Sequence, residues 1–469
     1  MMATVLLVTL VQQPAPPADT AAGRPCKVLI DSVGRSAQQV EIRAGETNVF
    51  AGGGVLAHCQ ATGSTLAADS VAWFAGVGRF DMIGQKNPVH IRDTVMTLDA
   101  TTAAYFLRQE RLEAHRTVIA VNRKTGSVLR GPNLTYYRAI KGVRDTLEMY
   151  ASGRPTIEYH TTADTGGGEP YIIVADRVRF KGNDRMWGGG QVTIDRSDFA
   201  ARGDSMQLDQ AAGFAVLVGK PRVEGKSARP YALTGTRIEL GLQGGGRDIR
   251  LVKALGDGVA TGADWRLTAD TIHLHVDRKK LQQAFAWGPK DSVRARAVST
   301  LNTIRADSLA LDLPDEVLDE ARAFGHAYST SKKESPPRAA TAKPDSTGKR
   351  DSTAAPEVDW FAGDSLTARW TQVPDSAGTP RSKLHRLIAR GSARAFIHLA
   401  SEHDSTPPSL NYSRGKIIDC ALKGDKVDRC TVTGKADGVQ LEPRPPATDT
   451  TKKADTTKTT ATTKKKPGP

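Results

Sequence analysis

Across residues 267–288 apolar and polar side chains alternate, with Ile272, Leu274 and Val276 on one side and Thr271, His273 and His275 on the other. Period two marks a half-buried β-strand, because successive side chains of an extended chain point to opposite faces. Residues 277–280 make a polar turn, and the chain returns from Leu281 with Phe285 and Trp287 at alternate positions before Gly288 ends the run. The pattern predicts a β-hairpin with Ile272, Leu274, Val276, Phe285 and Trp287 on its inner face.

The unit recurs. Residues 304–311 repeat its opening, and 318–325, 384–391 and 427–434 repeat its return with the same separation between an apolar residue and a glycine. Further openings begin at Asp69, Asp176, Asp204, Thr236 and Asp364, which is the signature of a stacked repeat. A lone hairpin cannot bury its apolar face, so each unit needs its neighbours. The same parity turns Val71, Trp73, Phe80, Met82, Leu98, Val178, Phe180, Ile238, Leu240, Leu309 and Leu311 inward. The prediction is an all-β chain of stacked antiparallel hairpins; only residues 315–322 hint at a short turn of another kind.

Hairpins of the form Leu-x-Ala-Asp-x-Ile-x-Leu, a polar turn, then Leu-x-x-Ala-x-Ala-x-Gly resemble those of the OstA/LptA-like family, the organic-solvent-tolerance proteins that carry lipopolysaccharide across the periplasm. The resemblance covers most of 57–438 and rests on a degenerate pattern rather than on chemical residues. It implies an elongated V-shaped jelly roll (a β-taco) in a periplasmic, non-enzymatic protein without a cofactor, possessing a groove that accepts the acyl chains of lipopolysaccharide or another envelope lipid. It also implies edge strands that join other transport proteins, or further copies of the chain head to tail. Under this reading the sixteen inward residues named above, from Val71 to Leu311, are the lipid-groove candidates. An ordinary closed core would need the same parity. Two other readings are a carbohydrate-active β-helix enzyme, which needs acids and bases clustered on one solvent-facing sheet, and a ligand-free envelope scaffold.

Composition refines this picture. Aromatic residues make up 6% and apolar ones 39%, suited to thin β-layers rather than a thick α/β core. Residues 1–25 begin with an apolar run and end Pro-rich, which predicts a secretory signal peptide or a disordered end, although the usual basic start is missing. The β-stack is expected over 26–328 and again over 358–442. Between them 329–357 lacks large apolar residues and is expected to be a disordered insertion, as is the basic tail 443–469. The formal net charge is +14, but no helix-turn-helix, zinc-finger or RNP-type motif points to nucleic acid. The tail's lysines suit anionic headgroups or a solvated end.

Candidate chemistry is sparse. Cys420 and Cys430 flank a turn, so either a cross-strand disulfide or buried free thiols would fit there; no Cys-x-x-Cys pair suggests zinc. Gly363-Asp364-Ser365-Leu366 spells an esterase signature, but the residues three before His385, His398 and His403 are Ser382, Ala395 and Ala400, so its Asp-x-x-His partner is absent. Residues 213–220 miss the spacing of a phosphate loop. His273 and His275 share one strand face without a nearby carboxylate, so no metal site is expected. Asp69, Asp176, Asp204, Asp270, Asp307 and Asp364 lack the context of a calcium ladder, and a turn or strand-entry role is expected for them.

Overall fold

The structure, a computed structural model, describes residues 26–60, 62–161, 168–243, 245, 248–288, 294–332, 358–374, 380–399, 408–423 and 426–442. The expected signal peptide and basic tail lie outside them. The chain is all-β, and its strands pair antiparallel. No α-helix occurs among the described residues; Leu107–Gln109 and Pro314–Glu316 are single 3-10 turns, and from Glu320 the segment that hinted at a turn is already strand.

Strand Trp265–Asp277 shows how the stack is built. Its first half pairs with Ala295–Ser299 through Leu267↔Ala297, and its second half with Lys280–Trp287 through Leu274↔Ala284. On its other side both halves pair with one long strand, Asp248–Thr261, whose register breaks between Leu255 and Gly258. A single strand thus serves two ladders. Followed from pair to pair, a first wall runs from Val28–Val33 to Asp437–Leu441, and a second wall from Ser36–Arg43 to Lys426–Thr433. Long strands cross between the walls along one line, the spine, where Gly52/Val55, Gly189/Val192, Phe324/Ala327 and Arg390/Ala393 mark the breaks. Hairpin turns line the two opposite lips. Of the hairpin expected over 267–288, only 271–287 pairs with itself, as the second-wall half of the unit, while Leu267 and Thr268 belong to the first wall.

The spine explains the recurring aspartates. Gly190, Gly219, Gly325 and Gly391 all have φ between +70° and +81°, and the residue after each also has positive φ. Two consecutive left-handed residues make a tight bend whose twist suits paired strands. A Cβ on these glycines would collide with the side chains of Asp176, Asp204, Asp307 and Asp364 on the preceding crossing. Where the bond is formed, the aspartate N–H donates to the glycine carbonyl, at 2.9 Å for Asp176 and Asp307 and 3.1 Å for Asp204. Each aspartate thus caps the next bend. Thr236–Gly256 and Lys416–Gly434 repeat the arrangement at 2.8 and 2.9 Å, so the position asks for a side chain seated over glycine, not for acid chemistry. Asp69 differs, because its carboxylate accepts the N–H groups of Gln85, Lys86 and Asn87, which hold it well below the usual carboxylate range.

Parity holds in the opening strand, where Ile272, Leu274 and Val276 are buried while His273 is half-buried and His275 exposed. It fails in the return. His275 faces Gln283 but Val276 faces Leu281, so Gln282 is a β-bulge and the alternation flips across it. Leu281, Ala284 and Ala286 point inward; Phe285 is only half-buried, and Trp287 is 37% exposed. These two rings lie outside, edge-on to His275 and His273 at 5.3 and 4.6 Å. Similar bulges follow Leu384 and Val427, at His385 and Asp428, which accounts for the three-residue step in Leu-x-x-Ala: the bulge lets both apolar residues face inward.

Residues 329–332, expected to begin the insertion, are instead the end of strand Glu320–Lys332. Ser329 is buried against Phe361 in the ladder, so pairing with strand Val358–Pro374 outweighs polar composition there. The remaining 333–357 lies outside the described residues. Lys332↔Val358 pairing joins its two flanks as adjacent strands of one ladder.

Candidate functional site

The interior is not uniform. Through the middle of the stack Leu233, Ile238, Leu267, Ile272 and Leu274 are fully buried, with Ala254, Ala284 and Ala286 filling the space between them. Small residues let the walls approach closely at the spine, and the space that remains in this section lies at the lips, where Phe199, Tyr231, Ile249 and Val276 border a cavity of about 340 Å³. Of the sixteen groove candidates, Val71, Phe80, Met82, Leu98, Val178, Ile238, Leu240, Ile272, Leu274, Val276, Leu309 and Leu311 are buried in the core. Trp73 and Phe180 are partly buried against it, and Phe285 and Trp287 are outside.

Space opens nearer the N-terminal end. A cavity of about 1070 Å³ separates the lips, with Trp73, Leu107, Ile140 and Leu147 among its walls. Tyr136, Val95 and Leu147 also border a smaller apolar cavity of about 60 Å³, lined by Met96, Leu129, Ile157 and Phe180. The sequence signal for this opening lies in the loop 138–147, which departs from the tight hairpin turns elsewhere. Strand parity alone does not reveal it.

Charge is concentrated at the mouth. Arg138 lies 3.6 Å from Asp93 and 3.9 Å from Glu110, and donates to Ser64 Oγ at 3.0 Å on the opposite lip. Asp93 and Glu110 are only 8% and 7% exposed, so the guanidinium serves two buried carboxylates. Further donors satisfy them: Cys26 N–H and the Tyr105 hydroxyl reach Glu110, and the N–H groups of Val95 and Met96 reach Asp93. Burial, the bond to Glu110 and its charge push the Tyr105 phenol far up, while burial and the Asp93 charge push Tyr136 up to about 12. Both phenols are therefore neutral at neutral pH, Tyr105 donating to Glu110 and Tyr136 accepting from Arg138. Lys27 and Arg108 stand exposed on the rim.

Polar ties cross the lips beyond this mouth. Asn122 donates to Asn183 at 3.2 Å, Tyr159 to Gln210 at 2.7 Å, and Lys279 lies 3.5 Å from Asp198. Burial alone would raise Asp198, but the Arg196 guanidinium overrides it and holds that carboxyl low. Cys420 and Cys430 face each other in the ladder and are disulfide-bonded. Cys26 and Cys59 form a second bond, which closes the N-terminal end of the first wall beside the cavity; their separation of 33 residues carried no local turn signal.

The apparent catalytic motifs dissolve into the architecture. Asp364 caps the Gly391 bend, and Ser365 is a ladder residue paired with Arg390 and Phe324, with no histidine hydrogen-bonded to it among the described residues. Residues 213–220 are a turn followed by strand Phe214–Val218. His273 is shifted down by burial, Lys253 and His275, and no group of three metal-ligating side chains occurs among the described residues. The antiparallel ladders also differ from the parallel coil of a β-helix. A scan against protein-family models found no match to this chain, and a search of curated proteins found none either.

Proposed function

We propose that this chain is an extracytoplasmic lipid carrier or bridge of the OstA/LptA type, its two walls forming a V-shaped jelly roll around an acyl-binding interior. The observation that carries the reading is the cavity of about 1070 Å³ between the lips, where Trp73, Leu107, Ile140 and Leu147 stand beside the Arg138 ion cluster and exposed Lys27 and Arg108 lie on the rim. An amphipathic anion suits such a site: chains lie against Trp73, Leu107 and Leu147, and a charged headgroup stays at the wet rim. The packed centre redraws the groove. Lipid enters at the N-terminal section, and passage further along requires the ties Tyr159–Gln210 and Lys279–Asp198 to open.

The ends support a bridging role. Strand Asp437–Leu441 is exposed throughout, with Val439 58% and Leu441 59% exposed, and Ile42 near the other end is 54% exposed. Terminal strands of this kind accept another strand by β-augmentation, from another transport protein or a second copy head to tail. The two disulfides suit a periplasmic setting. A ligand-free envelope scaffold is the second reading, favoured by the packed central interior.

Photo-crosslinking separates the two. With a crosslinking residue at Leu147, at Leu274 and at His273, lipid carriage predicts envelope-lipid labelling at Leu147 alone. A scaffold gives no lipid label at any of them, and equal labelling at His273 would show nonspecific adhesion.

A further inference from the structure

The outer face of the first wall carries a row of arginines that the interior does not need. Cross-strand partners follow one another without a break from Arg202 to Arg222, Thr234, Val259, Thr268, Arg296, Arg305, Tyr328, Ala362, Arg394 and Arg414. Three pairs stand directly opposite each other: Arg202 with Arg222, Arg296 with Arg305, and Arg394 with Arg414. Like charges in that position repel and cost stability. Glu224 answers Arg222, and Asp437 answers Arg414 at 2.6 Å. Arg202, Arg296, Arg305 and Arg394 are exposed and form no salt bridge among the described residues, Arg202 sharing only the more distant field of Glu224.

Beside the last pairs lies an apolar strip. Trp360, Phe396 and Tyr412 are successive cross-strand neighbours, the Trp360 ring lies 6.2 Å from each of the other two, and Tyr328 lies 5.9 Å from Trp360. In a chain with 6% aromatics, four adjacent rings on a solvent-facing surface are a concentration that packing of the interior does not explain.

We propose that this face binds a linear anionic polysaccharide lying across the strands, its carboxylate, phosphate or sulfate groups met by the arginine pairs and its sugar rings by the aromatic strip. Ten strand steps at about 4.8 Å extend the row from Arg202 to Arg414 over roughly 50 Å, the reach of a polymer rather than of a small anion. Guanidinium groups suit such oxyanions because they donate in a planar fork. A polyanion also removes the repulsion within each pair. The natural twist of a sheet turns successive pairs out of one plane, which suits a flexible strand better than a flat bilayer. The disulfides suit an oxidising compartment, where glycans rather than nucleic acids are the polyanions to be met. The proposal is independent of the lipid reading, which concerns the opposite face.

The test uses the full chain with polygalacturonate as probe, dextran as the neutral control, and oligo-dT and phosphatidylglycerol vesicles as the competing classes. Two variants are compared: one with Arg202, Arg296, Arg305 and Arg394 all changed to Ala, and one with the tail residues Lys452, Lys453, Lys464 and Lys465 all changed to Ala. The expected result is polygalacturonate binding without dextran binding, weakened roughly tenfold or more and made less salt-sensitive in the arginine variant, but nearly unchanged in the tail variant. Because the arginine variant relieves repulsion, its thermal midpoint should equal or exceed that of the parent. Failure to bind polygalacturonate overturns the proposal, as does equal binding by the arginine variant or loss in the tail variant instead. Tighter oligo-dT or vesicle binding with the same dependence on the four arginines would reassign the face to nucleic acid or membrane.

Discussion

The N-terminal section around Arg138 and the central section around Leu274 follow the same path from wall to wall, yet the first holds a cavity of about 1070 Å³ and the second is packed except for about 340 Å³ at its lips. The centre keeps the repeat strictly. Leu281, Ala284, Ala286 and then Leu318, Ala321, Ala323 put two small side chains beside each spine bend, and the walls close on them. The N-terminal section departs from it: Arg116 stands at φ +60° where the centre has glycine, although its carbonyl still accepts an N–H, from Thr101 at 3.0 Å. Loop 138–147 then replaces a tight turn and contributes Arg138 to an ion cluster with the buried carboxylates of Asp93 and Glu110. Regularity in this architecture produces closure, and the candidate site arises where the repeat is broken.

The largest test of this contrast is a charge placed in each section. Leu274→Asp should cost at least several kcal/mol in urea unfolding, because its carboxylate has no partner in the packed interior. Leu147→Asp, at the wet cavity, should cost about 1–2 kcal/mol. Equal losses would mean that the cavity section is packed as tightly as the centre.

Removing a lip cation comes next. Arg138→Met leaves Asp93 and Glu110 buried without their shared counter-charge and should destabilise by about 2–4 kcal/mol. Lys279→Met, which breaks a tie whose lysine is 55% exposed, should change stability by about 0.5 kcal/mol or less. Thermal or denaturant midpoints of the two variants settle whether the mouth is held by its ion cluster.

The spine bends sharpen the comparison further. Gly325→Ala should cost about 1–3 kcal/mol, since the new Cβ meets Asp307 at a positive φ. Arg116→Gly should move the other way, stabilising by about 0.5–1 kcal/mol, because glycine adopts that conformation freely. A loss in the second variant would mean that the Arg116 side chain contributes more than its backbone costs.

The smallest effect is electrostatic. The bond to Arg386 holds Asp419 below its ordinary value, and the bond to Tyr150 does the same for Glu148. A carboxyl depressed in the folded state stabilises above its unfolded pKa, and that contribution disappears as pH falls through the folded value. Urea midpoints should therefore be insensitive to these groups from pH 7 to about 5 and decline below about pH 4. Asp419→Asn should flatten part of that acid slope, and an unchanged slope would show that the Arg386 pair contributes nothing.

Local alternation sufficed to predict an all-β chain and the inward faces of Ile238, Leu240, Ile272, Leu274, Leu309 and Leu311. Those properties depend on the two-residue period and on near neighbours, which sequence carries directly. What the tertiary structure decided depends on register between strands. The bulge at Gln282 turned Phe285 and Trp287 outward, pairing with Val358–Phe361 drew residues 329–332 into a strand, and the Cys26–Cys59 bond joined residues with no local signal between them. The aspartate positions were visible as a repeat, but their reason was not, because the glycine that each one caps arrives from the next crossing of the spine. The cavity and the arginine row share that origin: each assembles side chains from strands far apart in sequence, and only the pairing of one strand with the next brings them onto a common surface.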